Sequence, residues 1–481
     1  MTCIKKTAVI KMFVILFGFP LIPVFTISQD SLAPHLNKMF SAIELKQDLH
    51  FIKQKAEFKK YNETGLLFIG KKRFNFLIDS IEKVIDERKE MSRLEFYLLT
   101  APLISELEDD DSFYSLKGEY AFSGKKSKKF TEKIVFPFNC TVINDSVYII
   151  ASRELPIDSR LLTINGKPAG EIAKEIRFRK NSRTKRYYSD NKIMGLGFSS
   201  LWVDTYTFYN FHDSVTVEYI PFGEKNNRVK TVALGNPGDE YFTDLIEPMR
   251  TRQYFMNLYF HDSTAVLSIE KMYRTKIDID TLNAIFSRIK KSGCKNLLID
   301  VMQCNRSYRA LWLALLNYFY DGNIELYQYH KKPVDLLKYS KKRLKKSRIV
   351  KGKIPGNIDE FRFNGNVFLA FGNSTRNFAV EFVDIMQHNG LVKNTYGRET
   401  GSRATQYSYY QRYFLPITGL RLDLSIMLIR SLDNKKHERG ILPAFEIPHF
   451  NMKIEEENYF RHNRLYMEYV IDYINKQKIQ L

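Results

Sequence analysis

Cysteine is scarce in this chain, four in 481 residues, which excludes a disulfide-built framework. Cys3 lies in an N-terminal segment read below as removable, so Cys140, Cys294 and Cys304 remain, an odd number without metal-like spacing. Cys294 and Cys304 bracket an apolar stretch and read as small buried side chains. After the N-terminus no apolar run approaches the roughly 20 residues that a spanning helix needs. A phosphate-cradling glycine-rich loop, a G-x-S-x-G elbow, metal-ligand spacing and internal repeats are all missing, and low complexity is confined to lysine runs. No cofactor and no metal are expected.

What is present is apolar and aromatic. Hydrophobic residues make up 44% and aromatics 14%, including 36 Phe and 29 Tyr, more than a disordered chain of similar charge carries. The length implies two or three domains. The first segment sets Lys5, Lys6 and Lys11 around the start of an apolar run over residues 12–27, with Thr26 and Ser28 before Gln29. This reads as a secretory signal over residues 1–28, because Pro20, Pro23 and the shortness of the run disfavour an uncleaved anchor. The mature chain is expected to be exported, periplasmic or extracellular, with envelope association as a further option, and to have no transmembrane segment.

The formal charge is +20, and loss of the three signal lysines leaves about +17. The basic residues cluster in "SGKKSKKF" (123–130) and "HKKPVDLLKYSKKRLKKSRIVKGK" (330–353). Such runs fit either a polyanion-binding surface or solvated loops, and export argues against nucleic acid.

Along the chain, three segments from about residue 37 space apolar residues by three and four, and Ser92 with Glu95 forms a capping-box signature at the start of the third. A Gly/Ser/Lys-rich patch near residues 122–129 ends this pattern. Short strands follow to about residue 234, with Asn165–Gly166 closing a tight turn before a short helix near Ala169. From about Asn257 strand and helix alternate: "TAVLSIEKM", "IDTLNAIFSRIKKSG", "KNLLIDVMQ", "YRALWLALLNYFYDG", "GNVFLAFGN" and "NFAVEFVDIMQHN". "EEENYFRHNRLYMEYVIDYINKQK" reads as a last amphipathic helix. The expected division is a signal at 1–28, a helical region at 37–130, a β module at 131–240, an α/β core at 245–452 and a C-terminal helix at 455–481.

In an α/β core, chemistry belongs on turns after the carboxyl ends of strands. Two qualify: "VMQCNRS" (301–307) and "GNSTRN" (372–377). Their order makes a resemblance visible. "EFYLLTAPLISELEDDDS" resembles a family helix ending L-x-D-G-H-T, and "LPIDSRLLTINGKPAGEI" a PDZ-like G-x-x-I-L-x-I-N-G segment. "KNLLIDVMQCNRS" resembles L-I-I-D-x-R-x-N-G-G-G, and the stretch from "NVFLAFGNSTRNF" to "GRETGS" resembles T-F-S-S-A followed by G-E-E-T-G-G. "RGILPAFEI" resembles G-I-x-P-D-x-x-I. Together they resemble the tail-specific, or C-terminal processing, serine peptidases related to the tricorn core, over residues 45–474. The resemblance implies an α/β core of repeated strand–helix units of the crotonase/ClpP-like kind, with an N-terminal helical region and a small PDZ-like β-rich module.

Carried over residue by residue, the family's functional positions are mostly emptied. The nucleophilic serine falls on Asn377, whose amide cannot form an acyl-enzyme. The histidine falls on Asp111, removing the proton acceptor. The glycine triplet falls on Asn305, Arg306 and Ser307, and the base of the Ser/Lys branch falls on Glu399. Asp300, Gly372, Thr375, Ala379, Gly397, Glu399, Thr400 and Gly401 match the pattern. Asn305, Arg306, Ser307 and Gly372 are therefore the candidate substrate-binding positions. Glu399 reads as a retained site residue or as a carboxylate satisfied by backbone N–H groups. Ser374 and Thr375 read as helix caps or as substitute nucleophiles, with Lys393 not far along the chain. The resemblance thus implies an exported, catalytically inactive homologue that binds peptides or protein termini. The alternatives are an active serine-type peptidase with a rearranged site and a basic binder of polyanionic glycans. Oligomeric state is left open.

Overall fold

In the computed structural model, the described residues are 37–57, 66, 69–107, 113–115, 138–143, 146–152, 154–179, 214–233, 254–272, 279–304, 309–330, 343–353, 359–372, 374–433, 440–446, 468, 470–472 and 474–475. The signal at 1–28 lies outside them, as do Asp111 and Asn305–Ser307.

The N-terminal region pairs β1 (Met39–Ser41) with β2 (Glu90–Ser92) around α1 (Ala42–Glu57), α2 (Lys71–Arg88) and α3 (Arg93–Ser105). On α1 the buried Leu45, Leu49, Ile52 and Ala56 follow helical spacing. Before α3 the Ser92 hydroxyl accepts the Glu95 N–H while the Glu95 carboxylate accepts the Ser92 N–H, which is the expected capping box. β3 (Phe113–Ser115) leaves this region to join a hairpin far along the chain.

The next sheet contains β4 (Phe138–Ile143), β5 (Ser146–Ser152), β6 (Arg160–Ile164) and β7 (Lys167–Pro168). It is completed by β8 (Ser214–Ile220) and β9 (Arg228–Ala233), and α4 (Ala169–Arg179) follows β7. Asn165 and Gly166 both have positive φ (48° and 76°) and join β6 to β7, the turn expected of Asn-Gly. Alternating burial along β8 shows a sheet with one face inward.

The largest sheet has the order β10 (Tyr254–His261), β11 (Thr264–Met272), β12 (Asn296–Asp300), β15 (Asn366–Phe371), β16 (Asn394–Gly397) and β19 (Phe445–Glu446). It is parallel from β11 onward, and β10 adds an antiparallel edge strand that begins before Asn257, where alternation is first legible in sequence. Crossovers use α5 (Ile279–Lys291), α6 (Arg309–Leu316) and α7 (Phe378–His388). Every residue of β12 is buried, as parallel strands covered on both faces require. Leu297 and Ile299 meet Phe286, Trp312 and Phe382 on one face, while Leu298 meets Phe368, Tyr396 and the C-terminal Val470, Ile471 and Ile474 on the other. The described residues at 468, 470–472 and 474–475 are helical.

Two expectations change. The helix expected through Gly322 ends at Leu316, because the N–H groups of Asn317, Tyr318 and Phe319 turn to carbonyls three residues back. In the lysine-rich stretch 330–353, read as a solvated loop or a polyanion-binding surface, Arg343–Lys353 forms β14 against β13 (Asn323–His330), and residues 331–342 lie outside the described residues.

A third sheet, β17 (Gln406–Phe414), β18 (Arg421–Ile429) and β3, packs Leu415, Leu420, Leu422 and Leu424 into the helical core. Asp48 of α1, fully buried, fastens the hairpin: its carboxylate accepts the Ile417 N–H (2.9 Å), the Thr418 N–H (2.8 Å) and the Thr418 hydroxyl (2.5 Å). Burial raises this carboxyl above its usual range, against the opposing pull of those donors. Asp48→Ala leaves the donors unpaired and should lower stability by about 3 kcal/mol, read as the urea midpoint; a loss under about 1 kcal/mol would contradict this anchoring role.

Candidate functional site

The two expected turns leave adjacent parallel strands. β12 and β15 run in register from Asn296↔Asn366 to Asp300↔Ala370, and the Val301 N–H continues the ladder to the Ala370 carbonyl at 2.8 Å. Both chains therefore leave the sheet at its carboxyl edge together. Thr375 then ties them. Its hydroxyl donates to the Val301 carbonyl (2.8 Å) and accepts the Gly372 N–H (2.9 Å), and the residue has no exposed surface. The Arg376 N–H reaches the Cys304 carbonyl (3.0 Å), and the Gly401 N–H reaches the Thr375 carbonyl (3.0 Å).

These anchors force a sharp turn into α7. Asn377, the N-cap residue, has φ 54° and ψ −128° and makes no side-chain capping bond. A non-glycine residue here stores strain of order 1–3 kcal/mol, held by the surrounding bonds. Asn377 is half-buried, and its Oδ1 is buried without a hydrogen-bond partner among the described residues. Its backbone carbonyl accepts the N–H groups of Val380 (3.0 Å) and Glu381 (3.3 Å) and the side-chain amide of Gln406 (2.6 Å). Gln406 was invisible to sequence reasoning, since only the return of β17 brings it here.

The other expected site residues divide. Thr375 does not cap α7; it is a cross-link, and a buried hydroxyl already donating to a carbonyl is no nucleophile. Glu399 Oε1 accepts the Gly440 N–H at 2.7 Å, the satisfied-carboxylate arrangement. Gly372 is buried, but a Cβ built on it meets nothing within 4 Å, so no close approach demands glycine there. Gly397 does need to be glycine: at φ 127° its Cβ would fall 1.9 Å from the Phe371 carbonyl oxygen. Lys393 is exposed beside the start of β15, since its N–H bonds Val367 O, a strand length from the turn.

Histidines supply no described partner for Asn377. His50 is exposed on α1, His261 is in the hairpin before β11, and His388 pairs with Glu325 (3.2 Å) at the far end of α7. β13, which ends at His330, passes Asn389 at Glu325 and Arg309 at Tyr327. Arg309 and Glu381 form a buried ion pair (2.7 Å) under the first turn of α7. Burial raises the Glu381 carboxyl, with Arg309 opposing the rise.

Asp300 closes β12 with Oδ1 on the Met302 N–H (2.9 Å) and Oδ2 on the Ser268 hydroxyl (2.8 Å). Burial pushes it up to about 6, against those two bonds. Among the described residues no group of three or more His, Cys, Asp or Glu could hold a metal ion, and no helix is long and apolar enough to cross a membrane.

No family model matches the sequence, and no curated protein matches it. Among solved structures, mature CPAF overlays at 12% identity with TM-score 0.55, covering 85% of this chain and 93% of that one. A serine-to-alanine CPAF mutant gives 13%, TM-score 0.58 and the same coverage. The photosystem II D1 C-terminal processing protease matches at 11% and TM-score 0.43, covering 84% and 92%, an overlap too loose to carry an argument. At these identities the likeness speaks to the fold alone, a mixed α/β architecture like that of CPAF.

The Asp300 value lies above the ordinary 3.8, so the native state holds this proton more tightly than the unfolded chain. Its contribution to stability is complete below about pH 4 and is lost as pH rises through about 6. Asp300→Asn should flatten stability by roughly 2–3 kcal/mol across that window, measured by urea unfolding at several pH values; a profile parallel to the unsubstituted protein would overturn the assignment.

Proposed function

We propose that this protein has kept a tail-specific peptidase fold and lost the reaction, and that it binds peptides or protein termini. One observation carries the reading: a carboxamide occupies the strained turn between β15 and α7, where the resemblance expects the nucleophilic serine. The strain is what a presented nucleophile needs, and the group presented cannot acylate. The neighbouring Thr375 is committed to Val301, which removes the substitute nucleophile nearest at hand.

In this reading the large sheet and its crossover helices are the crotonase/ClpP-like core at 245–452, and the sheet from β4 to β9 is a PDZ-like module at 131–240. They are flanked by the helical region at 37–130 and the C-terminal helix at 455–481. The ligand adds as a strand to the PDZ-like module or lies in the former cleft beside Gly372. The lysine-bearing N-terminal run supports export to the periplasm or exterior, where a basic surface also suits acidic polymers; no observation lifts polyanion binding above peptide binding.

The active alternative needs a hydroxyl and a base in the cleft. Ser374 is the hydroxyl in the same turn. Full-length mature protein incubated with unfolded and C-terminally tagged proteins and a fluorophosphonate probe should show neither turnover nor labelling. Calorimetry should instead show saturable peptide binding that persists as salt rises. Labelling abolished by Ser374→Ala would establish the active alternative, and binding that vanishes with salt would favour the polyanion reading.

A further inference from the structure

We propose that Asn377 is a self-modifying site, at which the side chain closes on the backbone nitrogen of Phe378, expels ammonia and forms a succinimide that water opens to aspartate or isoaspartate. Folded backbones ordinarily oppose this ring closure. It needs Cβ and the following peptide nitrogen nearly eclipsed about the Cα–C bond. With substituents spaced by about 120° around that bond, the requirement is ψ near about −120°, a region L-residues avoid. Asn377 lies there, at ψ −128°. The α7 C-cap, Asn389, has ψ 4° and does not.

Two further features favour the attack. Removing the Phe378 N–H proton places negative charge on the Asn377 carbonyl oxygen, the atom that already accepts the N–H groups of Val380, Glu381 and Gln406. Three donors fixed on a developing anion lower its cost, as an oxyanion hole does. Among the described residues no donor reaches the Asn377 Oδ1, so none of them ties that oxygen in place. Asn165, which precedes a glycine and is the residue that local sequence would favour, has its Oδ1 held by the Thr216 N–H at 2.7 Å.

The steps balance without an oxidant or reductant. Hydroxide takes the Phe378 amide proton, the nitrogen bonds to Cγ of Asn377, and the tetrahedral carbon releases its amino group as ammonia with a proton from water. Water then adds to one of the two imide carbonyls: cleavage at Cγ leaves aspartate, and cleavage at the backbone carbonyl leaves isoaspartate. Either product puts a negative charge at the N-terminus of α7, where the helix dipole stabilises it. The chemistry reverses the role of this position, which becomes an electrophile attacked from within the chain.

The test is ageing of the full-length protein at mildly alkaline pH, native and in urea, followed by acid digestion and mass spectrometry. Asn377 should first lose the mass of ammonia and then regain that of water, about tenfold faster in the native chain than in the unfolded one, as a near-attack geometry requires. Asn165 should show the reverse preference. Asn377→Gln, which needs a larger ring, should abolish the signal, and Gln406→Leu should slow it only in the native chain. A native rate at Asn377 equal to or below the unfolded rate overturns the proposal, and the unsubstituted protein decides this even if Gln406→Leu does not fold.

Discussion

The bond from the Thr375 hydroxyl to the Val301 carbonyl joins the turns that leave two neighbouring parallel strands. Parallel strands end at one edge, so their exits crowd, and two loops with backbone polar groups must satisfy one another there. Thr375 does this with three hydrogen bonds of its own, made through its hydroxyl and its N–H, while Arg376 and Gly401 add backbone links on either side. Once Gly372, Thr375 and Arg376 are held, the path into α7 leaves Asn377 no relaxed conformation. The unusual backbone of the candidate site is thus a consequence of how the sheet edge is closed.

Buried charges hold the surrounding frame. Asp48 links α1 to the β17–β18 hairpin, Arg309 and Glu381 pin the first turn of α7 beside β13, and Asp384 accepts the Ser431 hydroxyl and the Leu432 N–H. Each carboxylate bonds donors from segments distant in sequence. Loss of one partner would strand the other in a dry environment, so such ties resist change more than the apolar contacts beside them. They also explain how the turn at Asn377 stays strained: its geometry is set by neighbours with structural duties.

In the proposed reading the site is an architecture without its reagent. A hydroxyl in the Asn377 position would stand at a helix N-terminus with Gln406 behind it; a carboxamide there has no path to an acyl-enzyme. What the same geometry does offer is a backbone angle and an anion-stabilising carbonyl cradle, which bear on the asparagine itself.

Much of this was written locally. The spacing of Leu45, Leu49 and Ile52, the Ser92–Glu95 box, the Asn165–Gly166 turn and the runs that became β11, β12, β15 and α7 follow from periodicity and backbone preference, which neighbouring residues determine. So does the identity of Asn377, since no fold can change a side chain's chemistry. Only tertiary structure decided that Thr375 is a cross-link and not a cap, that Glu399 serves the Gly440 backbone, and that Gln406 meets Asn377. It also decided that part of the lysine-rich stretch is a strand. These depend on which distant segments the sheet brings together, and on the cost of leaving a buried polar group unpaired, which no local window of sequence can evaluate.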